Sequence, residues 1–121
     1  MNTTELSARQ CAPRQHALDH AAIAPLLAQL PGWRIEHGQL CKGYAFRDYY
    51  QTLAFVNALA YMTHAQDHHP ELTVGYRECA VRYATHSVNA GQGGLSENDF
   101  ICAAKADAIY RSGTPGAAVA A

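Results

Sequence analysis

The chain has 121 residues, nine basic and ten acidic, and a formal charge of −1. That length suits a single domain that buries roughly two thirds of the surface its unfolded form exposes. The balanced charge gives no electrostatic ground for nucleic acid or an anionic membrane as the main partner, and no stretch approaches the ~20 apolar residues of a membrane span.

The first segment, "MNTTELSARQCAPRQH", has no apolar signal core, which points to a cytoplasmic protein. Residues 1–15 and the small, uncharged tail 112–121, "SGTPGAAVAA", are expected to be disordered, leaving residues 16–111 as one folded domain. Cys11, Cys41, Cys79 and Cys102 lie far apart without a CxxC pair, so neither a zinc knuckle nor a redox motif is written, and reduced buried thiols are expected.

Taking the elements in order, "DHAAIAPLLAQL" places Ile23, Leu26, Leu27 and Leu30 at helical spacing and ends at Pro31-Gly32. Pro25 inside it suggests that the helix starts near that residue. "WRIE", a His37-Gly38 turn and "LCKGYAF" read as a hairpin, with Leu40, Lys42, Tyr44 and Phe46 on one face and Cys41, Gly43 and Ala45 on the other. Asp48 is placed to cap a long helix through His69, apolar on two faces: Leu53, Val56, Ala60 and Thr63, and Phe55, Leu59 and Met62. One face suits the sheet and the other a second subunit, so an oligomer through this helix is expected.

Pro70 then ends the helix. "ELTVGY" and "ECAVRYATH" read as a second strand pair, the latter setting Cys79, Val81, Tyr83 and Thr85 against Ala80, Arg82, Ala84 and His86. "SVNAGQGG" reads as a flexible loop, and Ser96 with Asp99 forms a capping-box spacing for the last helix. The order α-β-β-α-β-β-α predicts an α+β two-layer sandwich, a four-stranded antiparallel sheet with three helices on one face.

The chemistry concentrates in "THAQDHHPEL", Thr63 to Leu72. His64 and His68 share a helix face at metal-ligand spacing, but one helical pair is a weak signal, and a third ligand such as His86 would have to arrive by tertiary contact. Histidines at a helix C-terminus also suit the negative end of its dipole as plain solvated groups, a reading that takes His16, His20 and His37 as well. The third reading is proton transfer, because imidazole donates and accepts near neutral pH. No nucleophile sits in a triad-like setting, and "AGQGG" lacks the lysine of a phosphate loop. Metal-free acid/base work on a small neutral molecule is the strongest inference from the residues alone.

The run His64-x3-His68-His69-Pro70-x5-Tyr76-x9-His86-x12-Asp99 resembles the signature of the pterin-4a-carbinolamine dehydratase family. The resemblance extends through Gly32-Trp33, "YAFRDY", "THS" and "GGLSENDF", and covers about residues 18 to 110. It implies the same α+β fold, dimers or tetramers, and dehydration of 4a-hydroxytetrahydrobiopterin to quinonoid dihydropterin and water without metal or organic cofactor. An aromatic amino-acid hydroxylase is then an implied partner, in tetrahydrobiopterin recycling. Carried over by position, His68 and His86 look like acids serving the hydroxyl, and His69 like the residue that holds substrate or takes the second proton.

Asp67 looks like an orienting carboxylate, Pro70 a geometric device, and Tyr76, Glu71 and His64 pocket contacts. Asp99 matches the family acid, although capping alone also accounts for it. Three departures bear on substrate preference: His64 stands where Glu is common, the 87–94 loop is longer than in animal members, and Asn98 replaces an Arg. A different role, a protein-binding regulator or dimerisation cofactor using the long helix, is the competing expectation.

Overall fold

The computed structural model describes residues 3–113. In chain order it contains α1 (Thr3–Ser7), α2 (His20–Leu27), β1 (Arg34–Glu36), β2 (Gln39–Ala45), α3 (Tyr49–Gln66), β3 (Glu71–Val74), β4 (Glu78–Tyr83) and α4 (Glu97–Arg111). The four strands form one antiparallel sheet in the order β1-β2-β4-β3, so the two hairpins meet through the central pair β2 and β4. Their register sets Leu40 opposite Tyr83 and Tyr44 opposite Cys79. No helix among the described residues is long and apolar enough to cross a membrane.

Period-two patterning decides which sheet face is covered. Leu40 and Tyr44 on β2, with Cys79, Val81 and Tyr83 on β4, are buried against Phe55 and Leu59 of α3 and Phe100, Ile101 and Ala104 of α4. Lys42 breaks the apolar series on that face because it has a partner there. Its ammonium lies 2.8 Å from the buried Asp107 carboxylate, which also accepts from the Tyr44 hydroxyl at 2.6 Å and the Trp33 indole at 3.1 Å. A buried carboxylate is tolerated when donors surround it, and this one ties the end of α4 to the first hairpin.

Helix starts follow their caps. The Asp19 side chain accepts from Ala22 N–H and Asp48 from Gln51 N–H. The Asp19 cap starts α2 at His20, and Pro25 is accommodated inside the helix rather than opening it, its missing N–H forfeiting one bond in a short element. On α3, Phe55, Leu59 and Met62 are buried with Thr63, whereas Leu53 and Val56 are half-buried and Ala60 is exposed. Thr63 thus joins the inward face instead of the outer stripe.

The region before residue 16, expected to lie outside the folded part, carries a fourth helix. Leu6 of α1 is fully buried in the core cluster, Lys105 donates to the Ser7 carbonyl, and Arg9 pairs with Glu97 at 2.6 Å. One apolar anchor in a five-residue helix leaves no periodicity for a sequence to display. The expected disorder at 112–121 falls mostly on residues 114–121, outside the described residues.

The 87–94 segment, expected to be a flexible loop, is tied down at several points. Val88 is fully buried, Thr85 and Gly94 exchange two backbone bonds, Asn89 N–H donates to the Gln15 carbonyl, and Ala17 N–H donates to the Asn89 side chain. Residues 8–18 form a strap, and its last part, residues 15–18, runs against this loop. A Cβ at Gly94 would lie 2.7 Å from the Ala17 Cβ, closer than packed carbons approach. Gly94→Ala is expected to lower stability by about 1–3 kcal/mol through forced displacement of the strap. Urea denaturation checks this, and an unchanged midpoint would contradict the seating of the strap against the loop.

Candidate functional site

The helix carrying the histidines ends before the proline. Asp67 adopts a left-handed conformation (φ 52°), its N–H bonding back to the His64 carbonyl, so α3 stops at Gln66 and residues 67–70 form the bend into β3. Aspartate tolerates this conformation better than most residues, which accounts for the stop three residues ahead of Pro70. The bend carries His68 inward and leaves His69 exposed.

His68 meets Asp99, the third residue of α4. Nε2 of the imidazole lies 2.6 Å from Oδ1 of a carboxylate that is itself fully buried. Oδ2 of the same carboxylate accepts from the Ser96 N–H at 2.9 Å and from the Thr85 hydroxyl at 2.8 Å. Asp99 therefore caps its helix with one oxygen and holds an imidazole with the other. The Tyr83 ring lies parallel to His68, 9° between planes and 5.9 Å between centroids, fixing the plane of the imidazole.

Burial disfavours a charge on His68, but the hydrogen bond and the negative charge of Asp99 outweigh it, and the pKa is raised above its ordinary value. In the cationic form both ring nitrogens carry protons. With Nε2–H directed at Asp99, Nδ1–H is the proton left to give away.

Beside His68 lies a cavity of about 370 Å³, within the size range of small-molecule sites. Its wall includes Asp67, His68, Thr85 and Ser87 on one side and Cys11 to Arg14 of the strap on another. The strap is held by Gln66, whose side-chain oxygen accepts from Cys11 N–H, and by Asn98 at the first turn of α4. Cys11 also places its sulfur 3.4 Å from that of Cys102, both thiols being free.

The other residues singled out from the sequence fall in several places. His86 is exposed between two residues that line the cavity, Thr85 and Ser87. Pro70 is half-buried at the entry to β3, and His64 is exposed on the last turn of α3. Glu71 pairs across the sheet with Arg82 at 3.2 Å, so its partner is structural. Tyr76 is not brought to the His68 cluster. It is 69 % exposed and stacked on Tyr49 beyond the far end of β3, a strand whose four residues at ~3.3 Å each keep it distant. Among the described residues, no group of three or more His, Cys, Asp or Glu side chains is arranged to hold a metal ion.

Sequence reasoning missed the strap and Gln66, for which no local pattern exists, because both act through tertiary contacts. Thr85 was legible as an inward position of the β4 pattern, and Asn98 only as a departure from a resemblance.

A family model described as pterin 4 alpha carbinolamine dehydratase matches residues 16–109. A protein of Bdellovibrio bacteriovorus named for pterin-4-alpha-carbinolamine dehydratase is 51% identical, over 90% of this chain and 91% of its own. A protein of Xanthomonas axonopodis pv. citri named for the same activity is 52% identical, over 89% and 92%. A solved structure from Brucella melitensis, described as a transcriptional coactivator/pterin dehydratase, shares 28% identity with a TM-score of 0.71, covering 78% of this chain and 98% of that one.

The His68–Asp99 pair carries a pH dependence. Because the folded pKa is raised, the pair contributes its full stability below about pH 6.5, the ordinary imidazole value, and that contribution is lost as pH rises through the folded value. Imidazole NMR titration is expected to show His68 titrating above 6.5 in the wild type. In Asp99→Asn, where only the charges of Cys11 and Asp67 still oppose burial, it is expected to titrate lower than in the wild type. Titration at the ordinary value in both proteins would contradict the pairing.

Proposed function

The chain belongs to the pterin-4a-carbinolamine dehydratase family, and from that premise we propose that it dehydrates a 4a-hydroxytetrahydropterin by histidine acid/base catalysis. The observation that carries this reading is the cationic bias of His68, set by a buried carboxylate and facing a cavity of ligand size. Such a group is poised as a general acid, and an acid is what loss of a hydroxyl requires.

The reaction needs two proton movements. The N5 lone pair forms a double bond to C4a as the C4a–O bond breaks, and His68 delivers its Nδ1 proton to the departing oxygen, which leaves as water. The N5 proton then passes to a base, giving neutral quinonoid dihydropterin and restoring the proton count. The exposed imidazoles take the remaining roles: His86, adjacent to the Thr85 that contacts Asp99, is a second acid serving the hydroxyl, and His69, one residue from His68, holds substrate or takes the N5 proton. Each positioned acid or base supplies about 10²–10⁴-fold, a share adequate for a carbinolamine that also dehydrates unaided. We place the activity in tetrahydrobiopterin recycling, downstream of an aromatic amino-acid hydroxylase, in the cytoplasm.

A second reading is a protein-binding role through α3. Tyr50 and Tyr61 are 80% and 82% exposed on that helix, and the Brucella melitensis relative is described as a coactivator as well as a dehydratase. Self-association into a homodimer or homotetramer would use the same face. Light scattering is expected to show an assembly that Tyr61→Glu weakens, and a monomeric wild type would contradict it.

For the catalytic reading, His68→Ala and His86→Ala are each expected to lower turnover by about tenfold or more while circular dichroism shows the fold retained. Wild-type rates in both variants would remove histidine acid/base catalysis from the account.

A further inference from the structure

The strap does more than cover the core. Asn98 is 7 % exposed, and its side-chain amide is spent on this segment: Oδ1 accepts from Ala12 N–H and from Arg14 Nε, each at 3.1 Å, while Nδ2 donates to the Ala12 carbonyl at 2.7 Å. Gln66 anchors the segment at Cys11, and the bonds at Gln15, Ala17 and Leu18 continue the attachment. The backbone of residues 11–18 is thereby fixed on both sides of Arg14. The guanidinium is oriented through Nε, and its two terminal nitrogens have no hydrogen-bond partner among the described residues. Arg14 shares the cavity with His68 and Asp67.

We propose, resting on the dehydratase reading, that the strap is a wall of the substrate pocket, that Arg14 binds an acceptor oxygen of the substrate, and that Asn98 positions Arg14 for it. The chemistry selects the partner. A planar guanidinium with two free N–H-bearing nitrogens is suited to oxygen acceptors, and holding it by Nε beforehand reduces the freedom lost on binding. A pterin offers such an oxygen in two ways. Every pterin has the carbonyl of its pyrimidinone ring, and some carry an anionic group on the side chain. Both sources use the same contact from Arg14, and neither asks Arg14 to move a proton, so the residue sets affinity while His68 sets the rate.

The test is steady-state dehydration of freshly generated 4a-hydroxy-6-methyltetrahydropterin and of a counterpart with a phosphate-bearing side chain, by wild type, Arg14→Met, Arg14→Lys and Asn98→Ala. Loss of one charge-assisted bond is expected to raise KM about tenfold or more in Arg14→Met, with kcat within about twofold. Arg14→Lys is expected to recover part of that loss, and Asn98→Ala to reproduce part of it. A KM increase with both substrates assigns the ring carbonyl, and one confined to the phosphate-bearing substrate assigns the side chain. Unchanged KM in Arg14→Met with both substrates, or a fall in kcat at constant KM, overturns the proposal.

Binding of oxidised biopterin, followed by quenching of its fluorescence, separates this inference from the catalytic reading. If the wild type binds but does not turn over, catalysis fails, and a tenfold weaker Arg14→Met still supports the wall. Equal affinity of the two proteins both for oxidised biopterin and for an oxidised pterin with a phosphate-bearing side chain, or no binding of either by the wild type, overturns the wall as well.

Discussion

The buried carboxylate of Asp99 is the constraint around which the site is organised. Three donors from three parts of the chain converge on it: the His68 imidazole after α3, the Thr85 hydroxyl after β4, and the Ser96 N–H at the start of α4. A fully buried carboxylate deprived of such donors is destabilising by about 3–5 kcal/mol, so the helix end, the strand end and the helix start are held to one another by a shared need. The same geometry explains the chemistry. A negative charge that water cannot reach raises the proton affinity of the imidazole it touches, and the parallel Tyr83 ring fixes that imidazole in one plane.

Much of the frame was legible because its causes are local. The alternation Cys79, Val81, Tyr83, Thr85 names the inward face of β4, and all four side chains are buried. Asp48 and the Ser96–Asp99 pair announce two helix starts, and both helices begin there. What failed was decided by tertiary contact or by competition between local signals. Pro25 argued for a late start to α2, but the Asp19 cap outweighed it. Pro70 argued for the end of α3, yet the left-handed Asp67 ended it earlier. Leu6 gave no periodic pattern, and only the surface of α4 makes it a core residue.

The site itself was legible as a set of residue types, less so as an arrangement. Capping and an acid/base role stood as alternatives for Asp99 because a sequence does not reveal that each carboxylate oxygen has its own partners. Glu71 and Tyr76, carried over from the resemblance, meet Arg82 and Tyr49. The strap could not be read at all, since Gln66 is an unremarkable polar residue until the chain folds and Asn98 stood out only as a replacement for an Arg, with nothing to connect it to residues 11–14. Its attachment at Gln15, Ala17 and Leu18 to residues 89 and 95 also shows why the 87–94 loop is ordered, each segment supplying the other's missing backbone partners.

The proton for dehydration is assigned to an imidazole that Asp99 biases toward its cationic form. The most direct measurement is the protein's acceleration of quinonoid dihydropterin formation from freshly generated 4a-hydroxytetrahydropterin, as a function of pH. Acceleration is expected to persist as pH rises past about 6.5, the ordinary imidazole value, and to decline only above it. Acceleration that falls away through the ordinary value, or no acceleration by the folded protein at any pH, would contradict the assignment.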